Sequence, residues 1–399
     1  MTTGERIRHF RETAGMSRPV LGGLVGRSGE WVKAVETGRL LTPRLPLLIS
    51  LAQVLGVDDL AELTGEQRLS MASYTKASHE STAGVAAALA SYPLDVGAHE
   101  PVPAEDLQGR VRQAWELWHG ARRHRSAIAV VLPGLLTDTR VAVRLQQGEE
   151  RRRSLRALAE IYHLAQLFLS FQPVAELVYL TGDRAMGAAQ DADDPSAMAV
   201  AAWYVNHVFR DAGDRDEARV ELAQQAAALL SPDRDREHLV RWGLLQLAIA
   251  LSYAKTGRDG DAWHHWDRAH QAARSLGDGY AHPYLIFGPG MVAAYAVTMN
   301  NDLMRGGEAV RQADRLDLAS MPSATRRSFH LIETARAYSL RREHVATVHL
   351  LRKAHDESPE TIRYNLFARS IVTELSGASA PSIRDDVADL AGKLALPVG

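Results

Sequence analysis

Residues 16–38 read MSRPVLGGLVGRSGEWVKAVETG and contain two short amphipathic segments on either side of a glycine-rich turn. Ser17 is placed to cap the first predicted helix, since its hydroxyl can accept a hydrogen bond from the first turn. Gly22 is expected where the two helices approach closely, and Gly26 where the chain turns left-handed. A second helix is predicted to begin at Ser28. The stretch therefore predicts two helices packed around a tight turn.

The flanking segments supply a small core for this helix pair. GERIRHFRETAGMS (4–17) and PRLPLLISLAQVLGV (43–57) have apolar residues at helical spacing. The predicted inward-facing side chains are Ile7, Phe10, Leu21, Leu24, Val25, Val32, Val35, Leu47, Leu51 and Leu55. With these core positions, the turn glycine and the closing Gly38, residues 4–65 resemble the Xre/Cro-repressor family of helix-turn-helix domains.

The resemblance implies that the second helix of the motif, Ser28–Val35, lies in the major groove of DNA. Its base-reading side chains are then Ser28, Glu30 and Lys33. Glu30 would accept from cytosine and Lys33 would donate to guanine. Gly29 and Ala34 occupy two further reading positions but offer no side-chain hydrogen bonds, so sequence preference is expected to depend partly on DNA shape.

Arginines around the motif match positions at which the family holds the DNA backbone. The predicted phosphate-binding residues are Arg18, Arg27, Arg39 and Arg44, and the resemblance also implies a structural ion pair between Arg11 and Glu36. The alternative for each predicted contact residue is an ordinary solvated side chain. Trp31 is interpreted as a packing aromatic rather than a base-stacking one.

Charge limits how strongly a single motif binds. The whole chain has a formal charge of −2, so nucleic-acid affinity must be local. Residues 1–45 contain eight Arg or Lys and four Asp or Glu, and 8 − 4 gives +4. Because affinity for DNA rests largely on neutralised phosphates, we expect a homodimer that occupies two half-sites of a double-stranded operator.

Composition and motifs argue against catalysis and against a membrane location. The chain has no cysteine, which excludes disulfides and thiolate sites. No dinucleotide-binding, phosphate-loop or nucleophile-elbow glycine motif occurs, and the sixteen histidines include no HExxH. The N-terminus has no apolar signal region, and the apolar stretches 127–136 and 243–254 are shorter than a membrane span. We predict a cytoplasmic protein that is not an enzyme and has no catalytic residues, metal or cofactor.

The rest of the chain divides into a predicted linker, 66–104, and a long helical region, 105–395. Residues 246–269, QLAIALSYAKTGRDGDAWHHWDRA, place small and aromatic residues in the order typical of a tetratricopeptide helix pair. Similar units recur every 40–44 residues or so. The predicted fold is all-α, with a five-helix domain over 1–65 followed by an α-solenoid of tetratricopeptide-like pairs. An irregular helical domain is the alternative.

A solenoid presents a concave groove lined by the first helix of each pair. The template positions facing that groove are Trp203, His207, Arg210, Lys255, Met291, Tyr295, Thr298 and Arg336. Such a mixture of aromatic and cationic side chains suits a peptide, a small carboxylate-bearing molecule or a protein segment. Domain packing is the alternative role for each residue.

The order of domains resembles that of peptide-responsive bacterial regulators. Uncharacterised regulators of GC-rich bacteria share segments similar to WELWH (115–119), LPGLL (132–136) and DRAMGAA (183–189). The resemblance implies transcription control gated by a peptide, small molecule or protein partner. The alternative function is a protein-interaction scaffold or antitoxin-like protein in which DNA binding is secondary.

Overall fold

A computed structural model describes residues 1–40, 42–65, 76–96, 100–212, 216–378 and 380–396. Within these ranges the fold is all-α, as predicted, and contains no strand. The N-terminal domain has five helices: α1 (Thr3–Thr13), α2 (Arg18–Leu24), α3 (Gly29–Glu36), α4 (Leu45–Leu55) and α5 (Leu60–Thr64). Its core of Ile7, Leu21, Val32 and Leu51 is a cluster separate from the rest of the protein.

Local signals explain the helix-turn-helix geometry. The Ser17 hydroxyl accepts from the Val20 N–H at 3.4 Å, and α2 begins directly after it. Gly22 has no room for a side chain, because a Cβ there would lie 2.7 Å from the Arg27 carbonyl oxygen. Gly26 has a φ of +62°, which favours glycine. These two positions let α2 and α3 pack at close range.

The C-terminal region consists of helices in succession. They are α6 (Thr82–Ala90), α7 (Ala104–Gly120), α8 (His124–Leu145), α9 (Gly148–Leu169), α10 (Ala175–Asp191), α11 (Pro195–Ala212), α12 (Asp216–Ala228), α13 (Arg236–Thr256), α14 (Asp259–Ser275), α15 (Pro289–Asp302), α16 (Gly306–Ala313), α17 (Ala324–Leu340), α18 (His344–Glu357), α19 (Pro359–Tyr364), α20 (Leu366–Ala378) and α21 (Arg384–Lys393). Short 3₁₀ turns occur at Leu318–Ser320 and Pro381–Ile383.

Antiparallel pairs form as the repeat pattern predicts, but one unit is out of register with it. Gly257 and Arg342 have φ values of +80° and +62° and connect α13 to α14 and α17 to α18. The unit that follows Gly257 by one repeat, with Ala294, Val297 and Asn301 in the small/large pattern, predicts the equivalent turn at Asn301. The left-handed residue is instead Met304, with φ +60°. Asn301 is instead buried, and its amide donates to the Glu333 carbonyl at 2.7 Å.

The solenoid closes on itself. α17 contacts α7, the first helix of the predicted repeat region. His119 lies between the two ends, with one ring nitrogen 2.9 Å from the Ser323 hydroxyl and the other 2.9 Å from the Tyr284 carbonyl. Since these partners are more than 160 positions apart in sequence, the two ends of the repeat region meet and the helices form a closed superhelix rather than an open groove.

Part of the predicted linker is built into the repeat domain. Val85 and Leu89 of α6 are fully buried in the large core. His79 is also buried, and its backbone N–H donates to the Gln172 side chain at 2.7 Å. Residues 66–75 and 97–99 of that linker lie outside the described residues.

α8 corrects the prediction that no segment is long enough to span a membrane. By length and composition the 22-residue helix His124–Leu145 qualifies, since it extends beyond the apolar stretch seen in the sequence. It packs as a core helix of the repeat domain: Ile128, Leu132 and Leu136 are fully buried, and Asp138 accepts from Arg110 at 2.8 Å.

Candidate nucleic-acid interface

A buried cluster of charged side chains joins the first three helices of the N-terminal domain. The guanidinium of Arg11 donates to both carboxylate oxygens of Glu36, at 2.5 and 3.2 Å, and Glu36 is 4% exposed. Arg18 Nε donates to the same carboxylate at 2.7 Å. Hydrogen bonding to Glu36 raises the pKa of Arg11. The expected Arg11–Glu36 pair thus ties α1 to α3, and Arg18, expected at phosphate, is already held by the same carboxylate.

α3 presents a short reading surface. Glu30 and Lys33 are exposed and face one another across one helical turn at 3.5 Å. Ala34 is fully buried, so its assignment to a reading position is wrong: the residue belongs to the core. Ser28 is 8% exposed, and its hydroxyl caps α3 by accepting from the Trp31 N–H at 3.1 Å.

The N-terminal end of α3 lies against the repeat domain. A Cβ on Gly257, in the turn between α13 and α14, would lie 2.5 Å from the Cβ of Ser28. Near the other end of the motif, Arg342 donates to the Gly38 carbonyl at 3.2 Å. Two inter-helix turns of the repeat domain therefore contact the motif at its two ends.

The predicted phosphate-binding arginines have different surroundings. Arg39 is exposed and lines a recess of about 580 Å³ with repeat-domain residues that include Arg305, Arg311 and Arg341. Arg27 donates to the Gly26 carbonyl at 2.7 Å, and its guanidinium lies over the Trp31 ring. Arg44 precedes α4 and is half-buried. Arg39 is thus the exposed member of the set.

The residues predicted to line a ligand groove do not form one open surface. Trp203, Met291, Tyr295 and Thr298 are at most 2% exposed and belong to the packed interior. Arg336 is bound to Asp302 and Glu333, at 2.8 and 3.3 Å. His207 and Lys255 are partly exposed, and the side chain of Arg210 lies outside the described residues. The open-groove assignment is corrected for the four buried residues, because closure of the superhelix covers them.

A serine, a histidine and a carboxylate meet elsewhere without forming a nucleophilic site. His79 Nε2 lies 3.2 Å from the Ser126 hydroxyl, which donates to Glu360. His79 Nδ1 accepts from the Ser81 N–H at 3.1 Å, so the ring proton is on Nε2. A protonated Nε2 cannot take the serine proton, and the cluster is therefore a clamp between α8 and α19. Among the described residues, no group of three His, Asp or Glu side chains is arranged for a metal ion.

Two contact residues were missed from the sequence. By the repeat pattern, Gly257 and Arg342 are the turn residues of two helix pairs. Both are local turn residues by pattern, and their contacts with Ser28 and Gly38 depend on how the two domains meet. An arginine at a repeat turn where Gly257 stands in another unit is the sequence signal, and the structure gives this arginine a left-handed φ of +62°.

Comparison with known proteins agrees with the N-terminal geometry. A family model described as a helix-turn-helix domain matches residues 3–63, and this region of the chain is a helix-turn-helix domain. No curated protein matches the chain.

Two solved structures are distantly similar over most of the chain. ComR from S. thermophilus, in complex with DNA and its signalling peptide ComS, is 13% identical with a TM-score of 0.32, covering 89% of this chain and 99% of ComR. Bacillus thuringiensis PlcR, in complex with the peptide PapR7 and DNA, is 12% identical with a TM-score of 0.29, covering 88% and 99%.

Proposed function

We propose that the protein is a cytoplasmic, homodimeric transcription regulator whose repeat domain controls whether the helix-turn-helix domain is free to bind an operator. The helix-turn-helix match over residues 3–63 supports DNA binding. Exposed Glu30 and Lys33 on α3 supply the base-reading groups, and Arg39 supplies a backbone contact.

The single observation behind the control is the contact of Ser28 with Gly257. Recognition helices of this class meet base edges with their N-terminal residues. Here that end of α3 faces the α13–α14 turn at van der Waals distance. The turn and a DNA duplex would need the same space, so the arrangement is a closed form that must open before DNA binds.

DNA binding itself is tested by gel shift with the promoter region of the protein's own gene at two salt concentrations. Lys33→Ala and Glu30→Ala should each abolish preference for the specific site. Lys353→Ala, an exposed lysine on α18, is the matched control and should change nothing. Binding that is lost with modest salt and indifferent to sequence would instead favour the interaction scaffold.

The closed form is tested by a substitution that adds a methyl group at the contact between Gly257 and Ser28. Gly257→Ala places a methyl group where Ser28 now lies, whereas Gly277→Ala is also left-handed, with φ +102°, but meets nothing within 4 Å. Both variants place an alanine in left-handed backbone, and only the first should push the domains apart. If roughly 90% of molecules are closed, release raises DNA affinity about tenfold. Equal affinities for the two variants would refute the closed form and leave DNA binding intact.

A further inference from the structure

The interior of the closed superhelix contains a carboxylate without a cationic partner. Glu160 on α9 is partly exposed, and its carboxylate accepts one hydrogen bond, from Trp115 Nε1 on α7 at 3.0 Å. No Lys, Arg or His nitrogen of the described residues lies within ion-pair distance of it. Among the described residues, the indole N–H is the one hydrogen-bond donor to this carboxylate.

Two arginines act on the charge of Glu160: Arg241, and Arg112 on α7, which is exposed. Arg241 and a further arginine, Arg326, are engaged with other groups. Arg241 on α13 is paired with Glu237, which also lies 3.4 Å from His282. Arg326 on α17 donates to the Tyr295 hydroxyl at 2.8 Å. Burial raises the pKa of Glu160 to about 7, and it outweighs the Trp115 hydrogen bond and the charges of Arg241 and Arg112, which favour the charged form.

Aromatic rings form the wall beside this carboxylate. The ring of Trp115 lies 4.8 Å from that of Tyr284 and 6.4 Å from that of Tyr204, measured between centroids. Tyr284 is partly exposed, and Glu160 is among the charges that raise its pKa, which places its hydroxyl near the carboxylate. Neither tyrosine hydroxyl has a hydrogen-bond partner among the described residues. The partly exposed side chains of Glu160 and Tyr284 thus place a carboxylate and a phenolic hydroxyl beside the Trp115 ring, and we call this place the recess.

We propose that this recess, around Glu160, Trp115 and Tyr284, binds a protonated amine. The ammonium group would pair with the free carboxylate oxygen of Glu160, and the aromatic faces would stabilise its charge. A metal would need more ligands than one carboxylate, and an anion would be repelled by it. The amine belongs either to a small molecule or to the N-terminus of a peptide. As an effector site, the recess rests on the proposed regulatory function.

The first test uses phenethylamine and its neutral analogue 2-phenylethanol on the full-length protein, by calorimetric titration and thermal shift. The amine should bind at least about tenfold more tightly than the alcohol, since hydrogen bonds to charged groups are the strong ones. The preference should persist in Glu116→Gln, an exposed acid on α7, and disappear in Glu160→Gln. Equal binding of the two probes, or an unchanged preference in Glu160→Gln, would overturn the proposal.

Two further arms complete the test. The dipeptide Phe-Ala and its N-acetyl derivative distinguish the sources: binding of the free dipeptide but not the acetylated one indicates a peptide N-terminus, and preference for phenethylamine indicates a small molecule. Tyr284→Phe keeps the ring but removes the hydroxyl, and it should weaken amine binding severalfold. This variant carries the test if Glu160→Gln fails to fold. Gel shifts without amine should be unaffected by Tyr284→Phe, so failure of the amine site and failure of DNA binding are separate outcomes.

Discussion

Glu36 in the helix-turn-helix domain and Glu160 in the repeat domain are both interior carboxylates, but they have opposite surroundings. Glu36 receives Arg11 and Arg18, at 2.5 and 2.7 Å, and is 4% exposed. Among the described residues, Glu160 receives only the indole N–H of Trp115, and it is partly exposed. A fully paired carboxylate fixes the positions of its helices. Burying an unpaired carboxylate lowers the free energy of unfolding unless a ligand pairs with it.

The difference extends to the polar groups around each carboxylate. In the N-terminal domain the interior charges are mutually satisfied. In the repeat domain, His163 and His330 are at most 1% exposed, and their ring nitrogens have no hydrogen-bond partner among the described residues. Native interiors rarely tolerate such groups without reason. The interior charges of the first domain are thus paired with one another, whereas the repeat domain buries polar groups without such pairing.

Removing the paired carboxylate should have the largest effect. Glu36→Ala leaves Arg11 buried without its main partner and should destabilise the N-terminal domain by about 3–5 kcal/mol. Hydrogen exchange of α1 and α3 amides in the full-length protein should then accelerate by at least about a hundredfold. Arg8→Ala, which removes an exposed pair with Glu12, is the control and should leave these exchange rates unchanged. Unchanged exchange in Glu36→Ala would show that the pair is not what holds the helices.

Acid should weaken the repeat domain. Burial lowers the pKa of His119 to about 4, and those of His163 and His330 to about 3, whereas the unfolded value is about 6.5. Below pH 6.5 the unfolded chain therefore binds more protons, and stability is lost as pH falls towards 4. Glu160 acts in the opposite sense between pH 7 and 4.5, because its folded pKa is raised.

The three histidines outweigh the one carboxylate, and stability should fall by about 1–3 kcal/mol per pH unit below 6.5. Urea unfolding monitored by circular dichroism at pH 7, 6 and 5 measures the slope. His163→Phe should make it shallower. A stability that is constant or rises over this range would contradict the neutral, buried state of these histidines.

The indole contact should have a smaller, specific effect. Trp115→Phe removes the one donor to Glu160 and should destabilise the repeat domain by about 1–2 kcal/mol beyond the packing change. A double-mutant cycle with Glu160→Gln isolates the hydrogen bond, and its coupling energy is measured by urea unfolding. Zero coupling would mean that Trp115 contributes only packing.

Two interior histidines allow the finest comparison. His330→Leu removes unsatisfied polar atoms and should leave stability unchanged or raise it by about 1 kcal/mol. His119→Leu removes hydrogen bonds to Ser323 and Tyr284 and should cost about 2 kcal/mol. Thermal unfolding of the two variants side by side decides this. If His330→Leu is as costly as His119→Leu, its ring nitrogens have a partner such as bound water.

Sequence reasoning succeeded where short-range rules apply. Ser17, Gly22, Gly26 and Ser28 each act within a few residues of their own position, through caps, a tight approach and a left-handed turn. Helical periodicity likewise predicted the repeat pairs. The repeat pattern placed one turn wrongly, at Asn301, whereas the left-handed residue is Met304. A helix that is longer by three residues moves the turn but leaves the pattern of small residues almost unaltered.

By itself, the sequence determined the all-α class, the helix-turn-helix frame and the repeat pairing, because capping, glycine geometry and periodicity are local. Only the tertiary structure decided that the superhelix closes, that Trp203 and Tyr295 are interior, that Glu160 lacks a counter-ion and that Gly257 lies against Ser28. Each of these depends on the small angle between successive helix pairs, which accumulates over the whole domain and leaves no trace in any single stretch.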